Sequence, residues 1–146
     1  MIMKQEDKEL LLKDLCGRLP YGVKCNHESF TNIYTLYAVD SIHSSVNLSS
    51  DGLRFDDNWW NSIEQVKPYL FPMSSMTQKQ QEEYGEYYDK DLANSAKNLY
   101  DRLDGIDVVD GYPMYNHIDW LNANHFDYRG LINKGLAIDA TNLNIY

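Results

Sequence analysis

The chain has little sulfur. Its 146 residues hold two cysteines, Cys16 and Cys25. No C-x-x-C pair occurs, and no Cys/His cluster has zinc-finger spacing, so neither a structural zinc nor a dithiol redox centre has its ligands. Reduced thiols in a cytoplasmic protein are expected. Long apolar runs are absent too, and none approaches the ~20 residues of a transmembrane helix. Met1-Ile2-Met3 passes directly into Lys4-Gln5-Glu6-Asp7-Lys8, without the apolar core of a secretion signal. Basic residues are outnumbered, 13 against 22 acids, for a net charge of −9 and a pI of about 4.7. A direct nucleic-acid binder needs a basic patch, so direct phosphate binding is disfavoured.

Motifs of known chemistry are also missing. There is no G-x-S-x-G nucleophile elbow and no glycine-rich loop opening a helix. The four histidines, His27, His43, His117 and His125, form no H-x-H, H-x-x-x-H or H-E-x-x-H pattern. No cofactor and no metal is expected. Two arrangements keep an enzymatic alternative open. Cys25 and His27 share one face of an expected strand, and His125 lies with Asp127, Tyr128 and Arg129 within five residues. A small carboxylate/histidine hydrolase or nuclease would need one of these sets to converge on a pocket. The competing reading is a satisfied core histidine in the first case, and a helix cap with a corner salt bridge in the second.

What is present argues for folding. Hydrophobic residues make up 43% of the chain and aromatics 13%, with 12 Tyr and 3 Trp, more than a disordered chain carries. Residues 5–16 read as a helix whose Leu11, Leu12, Leu15 and Leu19 form one stripe, ended by Gly17 and Pro20. Val23, Cys25 and His27 alternate with polar residues as in a half-buried strand. Ile33 to Ile42 is apolar on both faces and reads as a central strand. Val46 to Leu48 and Leu53 to Phe55 come next, as short strands around an Asp51-Gly52 turn. Four or five antiparallel strands between residues 21 and 65 would curl into a small half-open barrel.

Asp56-Asp57-Asn58-Trp59-Trp60-Asn61 reads as a loop. Adjacent strand residues point to opposite faces, so one tryptophan there can be core and the other a contact residue. Pro68 and Pro72 restrict residues 63–72 to a connector of short turns or extended chain. Thr77 and Gln80 form a capping box for a helix containing Tyr84. A helix from about Asp89 to Leu103 comes after it, on a face of Leu92, Ala96, Leu99 and Leu103. The last helix carries Met114, Ile118 and Leu121 and stops at a left-handed Asn124. Asp127 would then cap a second, short helix through Tyr128, Leu131 and Ile132, ended by Gly135. The expectation is an α+β chain of one compact domain. A helix-plus-sheet lobe covers residues 1–72, and a helical lobe covers residues 73–146.

Three stretches carry a resemblance: Arg18-Leu19-Pro20-Tyr21-Gly22-Val23, then Val66 through Thr77, then Asp119-Trp120-Leu121-Asn122 with His125 through Ile132 and Lys134 through Ala137. In this order they resemble a family of small proteins of gut Bacteroidales and their phages and mobile elements. Members of that family commonly end in an acidic, proline-containing tail, whereas this chain ends in Asp139-Ala140-Thr141-Asn142-Leu143-Asn144-Ile145-Tyr146. The resemblance implies phage or mobile-element company and no particular chemistry. With the acidic charge, it makes a non-enzymatic binding or regulatory protein the leading expectation. Its sharper form is an acidic inhibitor of a host defence (CRISPR-like) protein, with the acids imitating a phosphate backbone toward a basic nucleic-acid-binding partner. A structural or assembly role, with Trp59 and Trp60 at the interface, is the third possibility. The candidate contact residues are Trp59, Trp60, Asp56, Asp57, His125 and Arg129.

Overall fold

A computed structural model of the chain describes residues 3–50, 59–85, 108–109 and 112–146. It contains an N-terminal helix, a mixed sheet and later helices, an α+β arrangement. Helix α1 runs Gln5–Arg18, two residues beyond the expected stop, and continues as a 3-10 turn over Leu19–Tyr21. Gly22, at φ 67°, supplies the left-handed residue that ends it. Leu11 and Leu15 are fully buried, and Leu12 and Leu19 pack beside them, so the leucine stripe covers the protein's own sheet. Each fully buried leucine contributes about 1.5–3 kcal/mol.

Strands β1 (Lys24–His27), β2 (Ile33–Asp40), β3 (Ser45–Ser50) and β4 (Trp60–Ser62) are antiparallel neighbours in that order. Alternation along them separates two faces. Cys25, Tyr34, Leu36, Val46 and Leu48 enter the core, and Lys24, Asn26, Ile33 and Thr35 lie on the other side. A bulge between Leu36 and Ala38 leaves Tyr37 without a partner on β3 and exposed.

The structure corrects two expectations. Trp60 lies in strand β4 rather than in a loop. Residues 66–72 are not a connector: Val66–Pro72 form β5, which pairs antiparallel with β1 and parallel with two later strands. The prolines are tolerated because of register. The Glu28 N–H donates to the Gln65 carbonyl at 2.9 Å. Hydrogen-bonded pairs alternate along an antiparallel ladder, which puts Cys25 and Pro68 at a non-bonded pair. The N–H that Pro68 lacks has no acceptor waiting on that side.

The first five strands lie in the order β4-β3-β2-β1-β5, yet β4 and β5 are joined by only the 3-10 turn Ile63–Gln65. Flat, β4 and β5 would lie four strand spacings apart, roughly 19 Å. A three-residue link of this kind rises about 2 Å per residue. The sheet therefore curls back on itself, and His27 of β1 meets Asn61 of β4 at 3.0 Å across the concave side.

After β5, a 3-10 turn at Met73–Ser75 leads to α2 (Gln78–Gly85). The Thr77–Gln80 capping box is present: the Gln80 N–H donates to Thr77 Oγ1 at 3.1 Å, and the Thr77 N–H donates to Gln80 Oε1 at 2.9 Å. The expected helix at Asp89–Leu103, the Asp51-Gly52 turn and the Leu53–Phe55 strand lie outside the described residues. Strand β6 (Val108–Val109) pairs antiparallel with β7 (Tyr112–Pro113) ahead of α3 (Met114–Ala123).

The helical second lobe is not what the described residues of that half form beyond α3. The left-handed stop is His125, at φ 63°, rather than Asn124. The chain then forms β8 (Phe126–Asp127), a series of turns, and β9 (Ile138–Asp139), with both strands parallel to β5. Gly130 and Gly135, each at φ 74°, bend residues 128–137 into turns where a second short helix was expected. The C-terminal stretch thus completes the sheet of the first half. A second buried cluster of Met73, Met76, Tyr84, Leu121, Phe126 and Tyr128 forms beside it.

Candidate functional site

The polar residues singled out near the C-terminus lie around a buried junction. Asp14 and Arg18 of α1 are both fully buried, one helical turn apart. Arg18 Nε donates to Asp14 Oδ2 at 2.7 Å, and Arg18 Nη2 donates to the Phe126 carbonyl at 2.7 Å. Its guanidinium lies 5.2 Å from the centre of the Tyr128 ring. Arg129 reaches the same carboxylate, with Nε 3.2 Å from Asp14 Oδ1, and its own guanidinium lies 5.0 Å from the Tyr128 ring. The Tyr128 hydroxyl donates to Asn122 Oδ1 at 2.9 Å. One buried acid therefore holds two arginines, both close to the same aromatic ring.

Asp127 is used locally. Its two carboxylate oxygens accept from the N–H groups of Leu131 and Ile132, both at 2.9 Å. These donors are four and five residues on, so the carboxylate organises a turn rather than a helix start. His125 carries a stacked partner, the Tyr146 ring at 3.7 Å and 14°. Burial, then the positive charges of Arg18 and Lys24, push the His125 pKa down to about 4. The hydrolase reading required His125, Asp127, Tyr128 and Arg129 to converge on a pocket. A cleft of about 380 Å³ is lined by Asp127 and Tyr128 together with Ser74, Asn133 and Asp139, but not by His125 or Arg129.

The other enzymatic candidate is Cys25 with His27. Cys25 is fully buried, and burial pushes its thiol well above the usual range. His27 Nδ1 accepts from the Ser29 N–H at 3.0 Å, which leaves Nε2 to donate to Asn61 Oδ1 at 3.0 Å. Both ring nitrogens serve the fold. No group of three or more His, Cys, Asp or Glu residues with metal-binding geometry occurs among the described residues.

The two tryptophans separate as adjacent strand residues should. Trp59 is half-buried against the core, with ring centres 5.3 Å from Tyr34, 6.1 Å from Phe30 and 6.2 Å from His27. Trp60 is 43% exposed on the outer face of β4. Asp56 and Asp57 lie outside the described residues. Ile33 and Tyr37, exposed by 38% and 42%, also turn to the outer side, while Asn47 and Ser49 of the intervening β3 are buried there. Only Trp60 among these three stood out in the sequence. Ile33 and Tyr37 sit in a strand apolar on both faces, and only the bulge and the pairing show which side chains turn outward.

Sequence reasoning also passed over Tyr146, whose hydroxyl donates to the Tyr69 carbonyl at 2.7 Å and accepts from the Lys24 N–H at 2.9 Å. No helix among the described residues is long and apolar enough to cross a membrane. No protein-family model, no curated protein and no solved structure matches this chain.

Proposed function

We propose that this chain is a non-enzymatic binding protein of phage or mobile-element type, whose outer sheet face contacts a protein partner. The observation that carries this reading is the exposure of Ile33, Tyr37 and Trp60 on that face. The polar groups that could have made a catalytic site are meanwhile tied into the fold. Aromatic residues are enriched where protein interfaces form, and tryptophan and tyrosine lead among residues whose truncation weakens binding. The curled sheet, read as a half-open barrel, gives that face a rigid support.

The acidity supports a basic partner of the nucleic-acid-binding class. It is unevenly distributed along the chain. Residues with described side chains hold 12 acids and 9 bases, whereas residues 51–58 and 86–111 hold 10 acids and 4 bases. Most of the net charge of −9 therefore belongs to those two segments, −6 against −3 for the rest. Imitation of a phosphate backbone would fall to them, with the apolar sheet face supplying the second part of the contact.

A pulldown from host lysate tests this at low and at raised salt. A nucleic-acid-binding protein should be recovered at low salt, less of it at raised salt, and little by the Trp60→Ala variant. Recovery of no such protein at low salt would sink the inhibitor reading. Equal recovery by Trp60→Ala would remove the sheet face from it.

A further inference from the structure

The C-terminal segment is held at a seam between two strands. The pairing of β1 with β5 runs from His27–Val66 to Cys25–Pro68. The next pair, Lys24 with Tyr69, is the one that alternation makes hydrogen-bonded. Instead, the Tyr146 hydroxyl occupies the gap, accepting from the Lys24 N–H and donating to the Tyr69 carbonyl. The Tyr146 ring lies flat on His125 and 5.7 Å from Phe71. His125 is itself fixed: it has a left-handed backbone, and its carbonyl accepts from the Phe71 N–H at 2.8 Å.

We propose that His125 and Tyr146 form an acid-released latch, in which a neutral His125 keeps the C-terminal segment docked across the β1–β5 seam and protonation frees it. The geometry supplies the reason. His125 Nδ1 is buried with no hydrogen-bond partner, so a proton placed there has nothing to donate to. The charged groups that act on the ring are both cations, Arg18 from α1 and Lys24 from β1. Arg18 cannot withdraw, because Asp14 and the Phe126 carbonyl hold it in place. Tyr146, from the tail, faces the ring as a neutral phenol, and Phe71 of β5 contributes no charge. The Tyr146 face would attract an imidazolium, but that contact is also available with the tail loosened and the ring hydrated. The depressed pKa of His125 agrees in direction. Because linkage is reciprocal, anything that removes the tail makes His125 easier to protonate. A partner that takes hold of the tail would therefore bind more tightly as the pH falls.

The test is an NMR titration of the four histidines in the full chain between pH 8 and pH 5.2, above the pI of about 4.7. In the unaltered protein the His125 ring signals should stay flat over this range. In Tyr146→Ala the same signals should titrate within this range, with a midpoint raised toward the ordinary value of about 6.5 but below it, because Arg18 remains beside the ring. In Tyr146→Phe, which keeps the ring stack and is the milder variant, the midpoint should fall between the two. His125→Asn, whose side chain tolerates the left-handed backbone, should keep the Lys24 amide signal in its docked position at every pH. A His125 that stays flat in both Tyr146 variants, or that titrates near 6.5 in the unaltered chain while the Lys24 amide stays docked, overturns the latch.

Discussion

Arg18 donates to the Phe126 carbonyl at 2.7 Å across 108 residues of sequence, from inside a helix where both it and its partner Asp14 are fully buried. This contact fastens α1 to β8, and β8 pairs in parallel with the end of β5. Three stretches far apart in the sequence, residues 18–23, 66–77 and 119–137, thus meet at one place. Arg18 belongs to the first, Phe71 and Pro72 to the second, and Phe126 and Asp127 to the third. Their shared role, on this geometry, is to hold the fold's ends together.

A buried charge is far more costly alone than in its pair. Arg18→Met leaves Asp14 buried with Arg129 as its remaining cation, and should lower the unfolding free energy by about 3–5 kcal/mol. Replacing all three charges, as Asp14→Leu with Arg18→Met and Arg129→Met, should recover much of that loss, since a well-packed apolar set needs no compensation. Urea denaturation with an unchanged slope reads out both variants. A single variant within about 1 kcal/mol of the parent would show that the pair is not what fastens the helix.

The helix and first strands were legible because their apolar spacing matches their environment: Leu11 and Leu15 face one way, and Cys25 and His27 alternate with Lys24 and Asn26. Strand β5 was not, because proline usually excludes a paired strand, and only the register shows that Pro68 falls at a non-bonded pair. The turns after Phe126 misled for a similar reason. Asp127 does cap, but it caps N–H groups four and five residues away, a geometry that residue type alone cannot distinguish from a helix start. Asn124 and His125 differ by one position, and either residue type tolerates positive φ. The candidate site was the least legible part. Arg129 stood out in the sequence, but nothing there indicated Asp14 as its partner, 115 positions earlier.

Tyr146 should matter to stability as well as to the latch. The phenol both donates and accepts within the β1–β5 seam, so Tyr146→Phe leaves the Lys24 N–H and the Tyr69 carbonyl without that partner. A loss of roughly 1–3 kcal/mol is expected. Burial, the largest influence, raises the pKa of this phenol above its ordinary value of 10.0. A folded pKa above the unfolded one means that the contribution is complete below about pH 10 and drains away as the pH rises beyond it. The unaltered protein should therefore lose stability above about pH 10 more steeply than Tyr146→Phe. Parallel curves for the two proteins would mean that the hydroxyl is not enclosed as described.

The turn after β8 separates two kinds of local requirement. Asp127→Ala removes the acceptor of two N–H groups, one of them at the fully buried Leu131, and should destabilise by roughly 1–3 kcal/mol. Asp127→Asn keeps one acceptor oxygen and should lie between that variant and the parent. Gly135 differs in kind. A Cβ there would meet nothing within 4 Å, so space is not the constraint, and its φ of 74° is. Gly135→Ala should cost about 1–2 kcal/mol in left-handed strain, and Gly135→Asn distinctly less, since asparagine visits that region readily. Thermal unfolding of the four variants gives the order. If Gly135→Asn is as damaging as Gly135→Ala, the backbone conformation is not what glycine supplies, and the turn must depend on a contact that any side chain there disrupts.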